Sequence, residues 1–128
     1  MLVDDDDINN MLNRQFLNFC IPKADIKVFQ DPIGLIELLR NQKIQQPDLI
    51  LLNINMPEMD GWDFLEQMDH YNMDIHVMIL SSSTHWDDVE RAKNYSRVLC
   101  YIEKPLTEEK IKQFIQEQNF SNIELDRY

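Results

Sequence analysis

Chemistry-bearing side chains stand at four points of this 128-residue chain, each within two residues of the end of a short apolar run. Asp4 and Asp5 open a series of aspartates after Met1-Leu2-Val3, Asn53 follows Leu49 to Leu52, Ser81 follows Ile75 to Leu80, and Lys104 follows Val98 to Ile102. Adjacent carboxylates supply the oxygen ligands that hard cations such as magnesium take, and their place after a buried strand favours that role over a solvated acidic helix start. A hydroxyl such as Ser81 or a lysine before proline such as Lys104 is, taken alone, loop polarity and surface charge. These residues acquire joint meaning only if their strand ends converge. His70, His76 and His85 show no ligand spacing and read as structural. Met56, Met59, Met68, Met73 and Met78 read as packing and loop residues.

The segment Asp48 to Gly61, DLILLNINMPEMDG, organises the elements that position these groups. Four consecutive apolar residues, Leu49 to Leu52, need cover on both faces, as in a central strand of a parallel sheet. Pro57 and Asp60-Gly61 then force a turn, after which Trp62, Phe64, Leu65 and Met68 carry helical spacing to about His70. A buried strand therefore delivers a loop, Asn53 to Asp60, at its carboxyl end, where open α/β sheets bind ligands.

Around it, Met1 to Val3 predicts a very short first strand. Ile8, Met11, Leu12, Phe16 and Phe19 recur at three and four, predicting an amphipathic helix to about Cys20, with acids at its positive end. Ile26, Val28 and Phe29 read as a second strand. Asp31-Pro32 reads as an N-cap with proline in the first turn of a helix that runs to about Gln42. Ile75 to Leu80 is a buried strand, His85 to Tyr95 a polar helix with Val89 and Ala92 inward, and Val98 to Ile102 a fifth strand. Thr107 is the expected N-cap of a last helix containing Ile111, Phe114 and Ile115; Lys110 stands where a capping box has glutamate. Strict alternation of five strands and five helices implies a doubly wound parallel sheet with right-handed crossovers.

Composition bounds the function. The formal charge of −11 argues against nucleic acid and anionic membrane as partners. With no run of about 18 apolar residues and no signal-peptide pattern, a cytoplasmic location is expected. Cys20 and Cys100 read as reduced structural thiols rather than a disulfide or metal pair. No linker, repeat or low-complexity segment divides the chain, so residues 1–128 are expected to form one domain, with no output domain.

The whole pattern resembles the receiver domain of bacterial two-component response regulators. That resemblance implies the flavodoxin-like (CheY-like) strand order 2-1-3-4-5. It matches Asp4, Asp5, position 53 and the backbone carbonyl of Asn55 to the family's magnesium site. It matches Ser81 and Lys104 to the groups that contact the phosphoryl oxygens, and Tyr101 to the aromatic residue that changes rotamer on activation. In the family, the aspartate at position 53 attacks a phosphohistidine in line, with magnesium and the lysine neutralising the moving charge. Here the residue is Asn53, whose amide cannot replace a carboxylate nucleophile. The expectation is a non-enzymatic receiver, disabled for phosphorylation at position 53, that signals through protein contacts. The asparagine is either a natural degeneration or an engineered substitution, and magnesium should bind only weakly.

The resemblance also implies a histidine kinase or phosphotransfer protein and a downstream protein as partners. Docking or self-association falls on the face of the fourth helix, fifth strand and fifth helix, with Trp86 and Tyr101 as aromatic anchors. Ordinary packing remains the alternative for both aromatics. The rival from another class is a metal-dependent phosphohydrolase using Glu58 or Asp60, although Asp60 before Gly61 is better explained by turn chemistry. A third reading is a structural adaptor indifferent to metal.

Overall fold

The computed structural model describes residues 1–83 and 85–118. Ten elements follow in order: β1 (Leu2–Val3), α1 (Asp7–Cys20), β2 (Val28–Phe29), α2 (Pro32–Arg40), β3 (Leu49–Asn53), α3 (Gly61–His70), β4 (His76–Ser81), α4 (Trp86–Ala92), β5 (Val98–Glu103) and α5 (Glu108–Gln118). The strands form one parallel sheet in the order β2-β1-β3-β4-β5, as expected. Successive strand residues point to opposite faces, so the apolar runs feed two cores. Ile50, Leu52, Val77 and Ile79 pack with residues of α2, α3 and α4, while Leu51, Met78 and Leu80 pack with residues of α1 and α5.

β1 is only two residues long, yet its position is fully specified. Leu2 N donates to Lys27 O at 2.8 Å, Asp4 N to Phe29 O at 3.2 Å, and Leu51 N to Met1 O at 2.8 Å. This pairing on both edges carries Asp4 to the end of β3. In β2 only Val28 and Phe29 pair, while Ile26 is buried just ahead of the strand.

The apolar stripe of α1 lies mostly outside the core, contrary to its reading as a packing face. Ile8 is 64%, Met11 52%, Leu12 54% and Phe19 58% exposed, and only Phe16 of that set is half-buried. The inward face is Asn10, Leu17 and Cys20. Both stripes share the helical period, so periodicity cannot choose between them. The Asp6 carboxylate caps α1 by accepting from Ile8 N at 2.8 Å and Asn9 N at 3.3 Å. Asn10 Nδ2 donates to Asp4 O at 2.7 Å and thereby turns position 10 toward the sheet.

Other ends differ in detail. Asp31 stands at the N-cap of α2 without a side-chain bond to the helix. α4 is shorter than its sequence pattern, with Ala92 buried and Val89 half-buried. Thr107 caps α5 as expected, its Oγ1 accepting from Lys110 N at 3.3 Å. Among the described residues no helix is long and apolar enough to cross a membrane.

Candidate functional site

β3 brings Asn53 to the carboxyl edge of the sheet, and the turn behind it is tight. Gly61 N donates to Ile54 O at 2.8 Å. A Cβ on Gly61 would lie 2.8 Å from Ile54 Cα and 2.9 Å from Asn53 O, so only glycine lets α3 start this close to the strand. Asp60 caps α3, accepting from Asp63 N at 2.9 Å, which is the turn chemistry anticipated for it.

Four predicted groups meet at this edge. Asn53 Nδ2 donates to Asp4 Oδ1 at 3.2 Å and to Asn55 O at 2.9 Å. Lys104 Nζ donates to Asn53 Oδ1 at 3.2 Å and pairs with Asp4 Oδ2 at 3.4 Å. Asp4 Oδ1 also accepts from Asp6 N at 3.0 Å. Asp4 and Asn53 are buried, at 5% and 8% exposure, so these bonds form in a low-dielectric setting where an unpaired charge would be costly. β5 supplies the lysine through its end: Lys104 N donates to Ser81 O at 2.8 Å, and the Lys104-Pro105 peptide is cis.

The remaining predicted residues stand apart from this network. Asp5 is exposed beside it. Ser81 is fully buried, and its hydroxyl accepts from Ser83 N at 3.0 Å. Tyr101 is half-buried, packs against the core on the α2–α4 side and donates its hydroxyl to Ser83 O at 3.1 Å, whereas Trp86 is 72% exposed.

Asn10 is the site residue that the sequence pattern did not reveal. Its carbonyl oxygen is buried without a hydrogen-bond partner among the described residues. It lines, with Asp4, Asn13 and Asn53, a cavity of about 10 Å³, room for a single water. A polar residue in phase with Leu17 and Cys20 was the available signal.

The donor set does not suit a divalent cation as it stands. Asp4 is the one buried carboxylate of the network, one of its oxygens and the Asn55 carbonyl are both taken by the Asn53 amide, and its other oxygen faces Lys104. Among the described residues no group of three or more His, Cys, Asp or Glu is arranged to hold a metal ion.

Comparison with known proteins agrees with the strand order. The family model of the response regulator receiver domain matches residues 1–116. The chain belongs to the response regulator receiver family. Receivers are generally non-enzymatic signalling domains and generally bind magnesium at an acidic site.

Among curated relatives, a probable C4-dicarboxylate response regulator of Halalkalibacterium halodurans is 28% identical over 116 residues, covering 88% of this receiver and 47% of the relative. Sporulation initiation phosphotransferase F of Bacillus subtilis is 29% identical over 103 residues, covering 80% of this chain and 82% of the relative. The chain thus spans about half the length of the first of these relatives. Among solved structures, a two-component response regulator from Cytophaga hutchinsonii superimposes with a TM-score of 0.78 at 27% identity, covering 91% of this chain and 92% of that one.

Proposed function

We propose that residues 1–128 form a single receiver whose phosphorylation at position 53 is disabled and whose output is protein–protein interaction. The observation that carries the reading is an amide, Asn53, at the end of β3 with its carbonyl 3.2 Å from Lys104 Nζ and its nitrogen 3.2 Å from Asp4. The reading is supported by Asp4 and Lys104, the acid and the lysine it needs, both within hydrogen-bond reach of Asn53. What is missing is a nucleophilic oxygen. The partners in this reading are a histidine kinase or phosphotransfer protein and a downstream protein in the cytoplasm. Docking or self-association falls on the α4–β5–α5 face, where Trp86 is exposed. The phosphohydrolase reading would need Glu58 or Asp60, and Asp60 already serves as the cap of α3.

The test is the near-isosteric variant Asn53→Asp, incubated with magnesium and acetyl phosphate beside the unmodified protein. In the variant a carboxylate oxygen attacks phosphorus, the bond from phosphorus to the acetate oxygen breaks, and acetate leaves. Intact-mass spectrometry should find one base-labile phosphoryl group on the variant and none on the unmodified chain. Phosphorylation of the unmodified chain would place the acceptor elsewhere and overturn the reading. An inert variant would mean that Ser81 and Lys104 no longer serve a phosphoryl group.

A further inference from the structure

Position 53 does more than lose a nucleophile. An amide nitrogen carries two donor hydrogens and no acceptor, and in Asn53 both point at oxygens, Asp4 Oδ1 at 3.2 Å and Asn55 O at 2.9 Å. These are the oxygens that the family's pattern assigns to the metal. The orientation of the amide is fixed by its surroundings. Rotating it by half a turn would set Oδ1 against a carboxylate and a carbonyl oxygen, and would set the NH₂ group against the Lys104 ammonium.

We infer that the Asn53 amide stands in for the divalent cation: its two N–H groups bridge Asp4 and Asn55, Lys104 balances the Asp4 charge, and the site keeps its closed geometry without metal. The inference rests on the receiver reading of position 53. A cation entering here must first displace two hydrogen bonds from the amide. It then meets a partly buried pair whose charges, one carboxylate and one ammonium, already cancel. Charge loss alone makes a different prediction, namely that asparagine and alanine at position 53 bind metal alike, or that asparagine binds it better through its carbonyl oxygen.

Isothermal titration with magnesium chloride at constant ionic strength separates the two accounts, using the unmodified protein, Asn53→Ala, Asn53→Ser and Asn53→Asp. Alanine frees both oxygens. Serine, with one hydroxyl on a shorter side chain, frees at least one and serves as the readout if the alanine variant does not fold. The expected order of affinity is Asn53→Asp, then Asn53→Ala or Asn53→Ser, then the unmodified protein, with the alanine or serine variant about tenfold tighter than the unmodified chain. If the unmodified chain binds magnesium as tightly as Asn53→Ala and Asn53→Ser while Asn53→Asp binds strongly, the stand-in role is wrong and the receiver reading survives. If Asn53→Asp also fails to bind, the receiver reading of the site falls, and this inference with it.

Discussion

Removing the charge of Lys104 tests whether the site is held as one electrostatic unit. Lys104 Nζ lies 3.4 Å from Asp4 Oδ2, and the two side chains are 22% and 7% exposed. At that separation the Coulomb attraction is about 5 kcal/mol for an effective dielectric near 20 and about 1 kcal/mol in water. The lysine head keeps some solvent, and Asp4 retains two N–H donors, from Asp6 and Asn53, when the lysine is gone. Lys104→Met keeps the apolar stem and should therefore cost about 2 kcal/mol, below the range of roughly 3–5 kcal/mol for breaking a fully buried pair. Asp4→Asn should also destabilise, by setting an amide donor near the ammonium. The double variant should cost less than the sum of the singles, with a coupling of about 1–2 kcal/mol. Urea denaturation of the four proteins supplies the cycle. Additivity within about 0.3 kcal/mol would show that lysine and aspartate ignore each other, and would remove the charge balance on which the closed site depends.

Two further outcomes follow from single positions. Gly61→Ala should cost about 1–3 kcal/mol, because the added methyl meets backbone atoms Ile54 Cα at 2.8 Å and Asn53 O at 2.9 Å that cannot move aside as a side chain could; an unchanged urea midpoint would contradict the close approach of α3 to β3. The Cys100 thiol is pushed up to about 12 by burial, and secondarily by Glu117, so the folded state holds its proton where the unfolded chain releases it. Its stabilising contribution is complete below about pH 9 and falls as the pH rises toward about 12. Replacing it by alanine should flatten the loss of stability between pH 8.5 and roughly pH 10.5, and an identical slope in the two proteins would contradict this.

How much of this was legible in the sequence depended on which physical signal each residue carried. Leu49 to Leu52 and Ile75 to Leu80 announced buried strands because short, largely apolar runs need cover on both faces, and β3 and β4 lie where those runs do. Alternation of elements gave the layers, and the convergence of Asp4, Asn53 and Lys104 followed from a parallel sheet. The phase of α1 was not legible. Its apolar stripe Ile8, Met11, Leu12 and Phe19 has the same period as the face Asn10, Leu17 and Cys20 that packs inward, and that inward face also carries a hydrogen bond from Asn10 to the Asp4 backbone, which no hydrophobic pattern encodes. The cap at Asp31 failed for a related reason: residue type favours the position, whereas the bond depends on a loop geometry that the type does not determine. The contact between Asn53 and the Asn55 carbonyl was hidden likewise, since it depends on how the backbone turns between two neighbouring asparagines.

The same contact bears on how such a receiver could change state. A ligand shifts a conformational equilibrium only by the difference in its affinity for the two states. In a phosphorylatable receiver that difference is supplied at the strand edge by metal and phosphoryl group. Under the proposed reading, with both N–H groups of Asn53 bonded and Lys104 paired, the driving difference would enter elsewhere. The described contacts trace one route. Tyr101 on β5 donates to Ser83 O, and Ser83 N donates to the Ser81 hydroxyl at the end of β4. Ser81 O, in turn, accepts from Lys104 N. A protein that grips the β5 edge and displaces Tyr101 would pull on Ser83 and, through it, on the strand end that holds Lys104. If the proposed α4–β5–α5 face is where a partner docks, signal would then run from that face toward the acidic edge, the reverse of the direction that phosphorylation imposes.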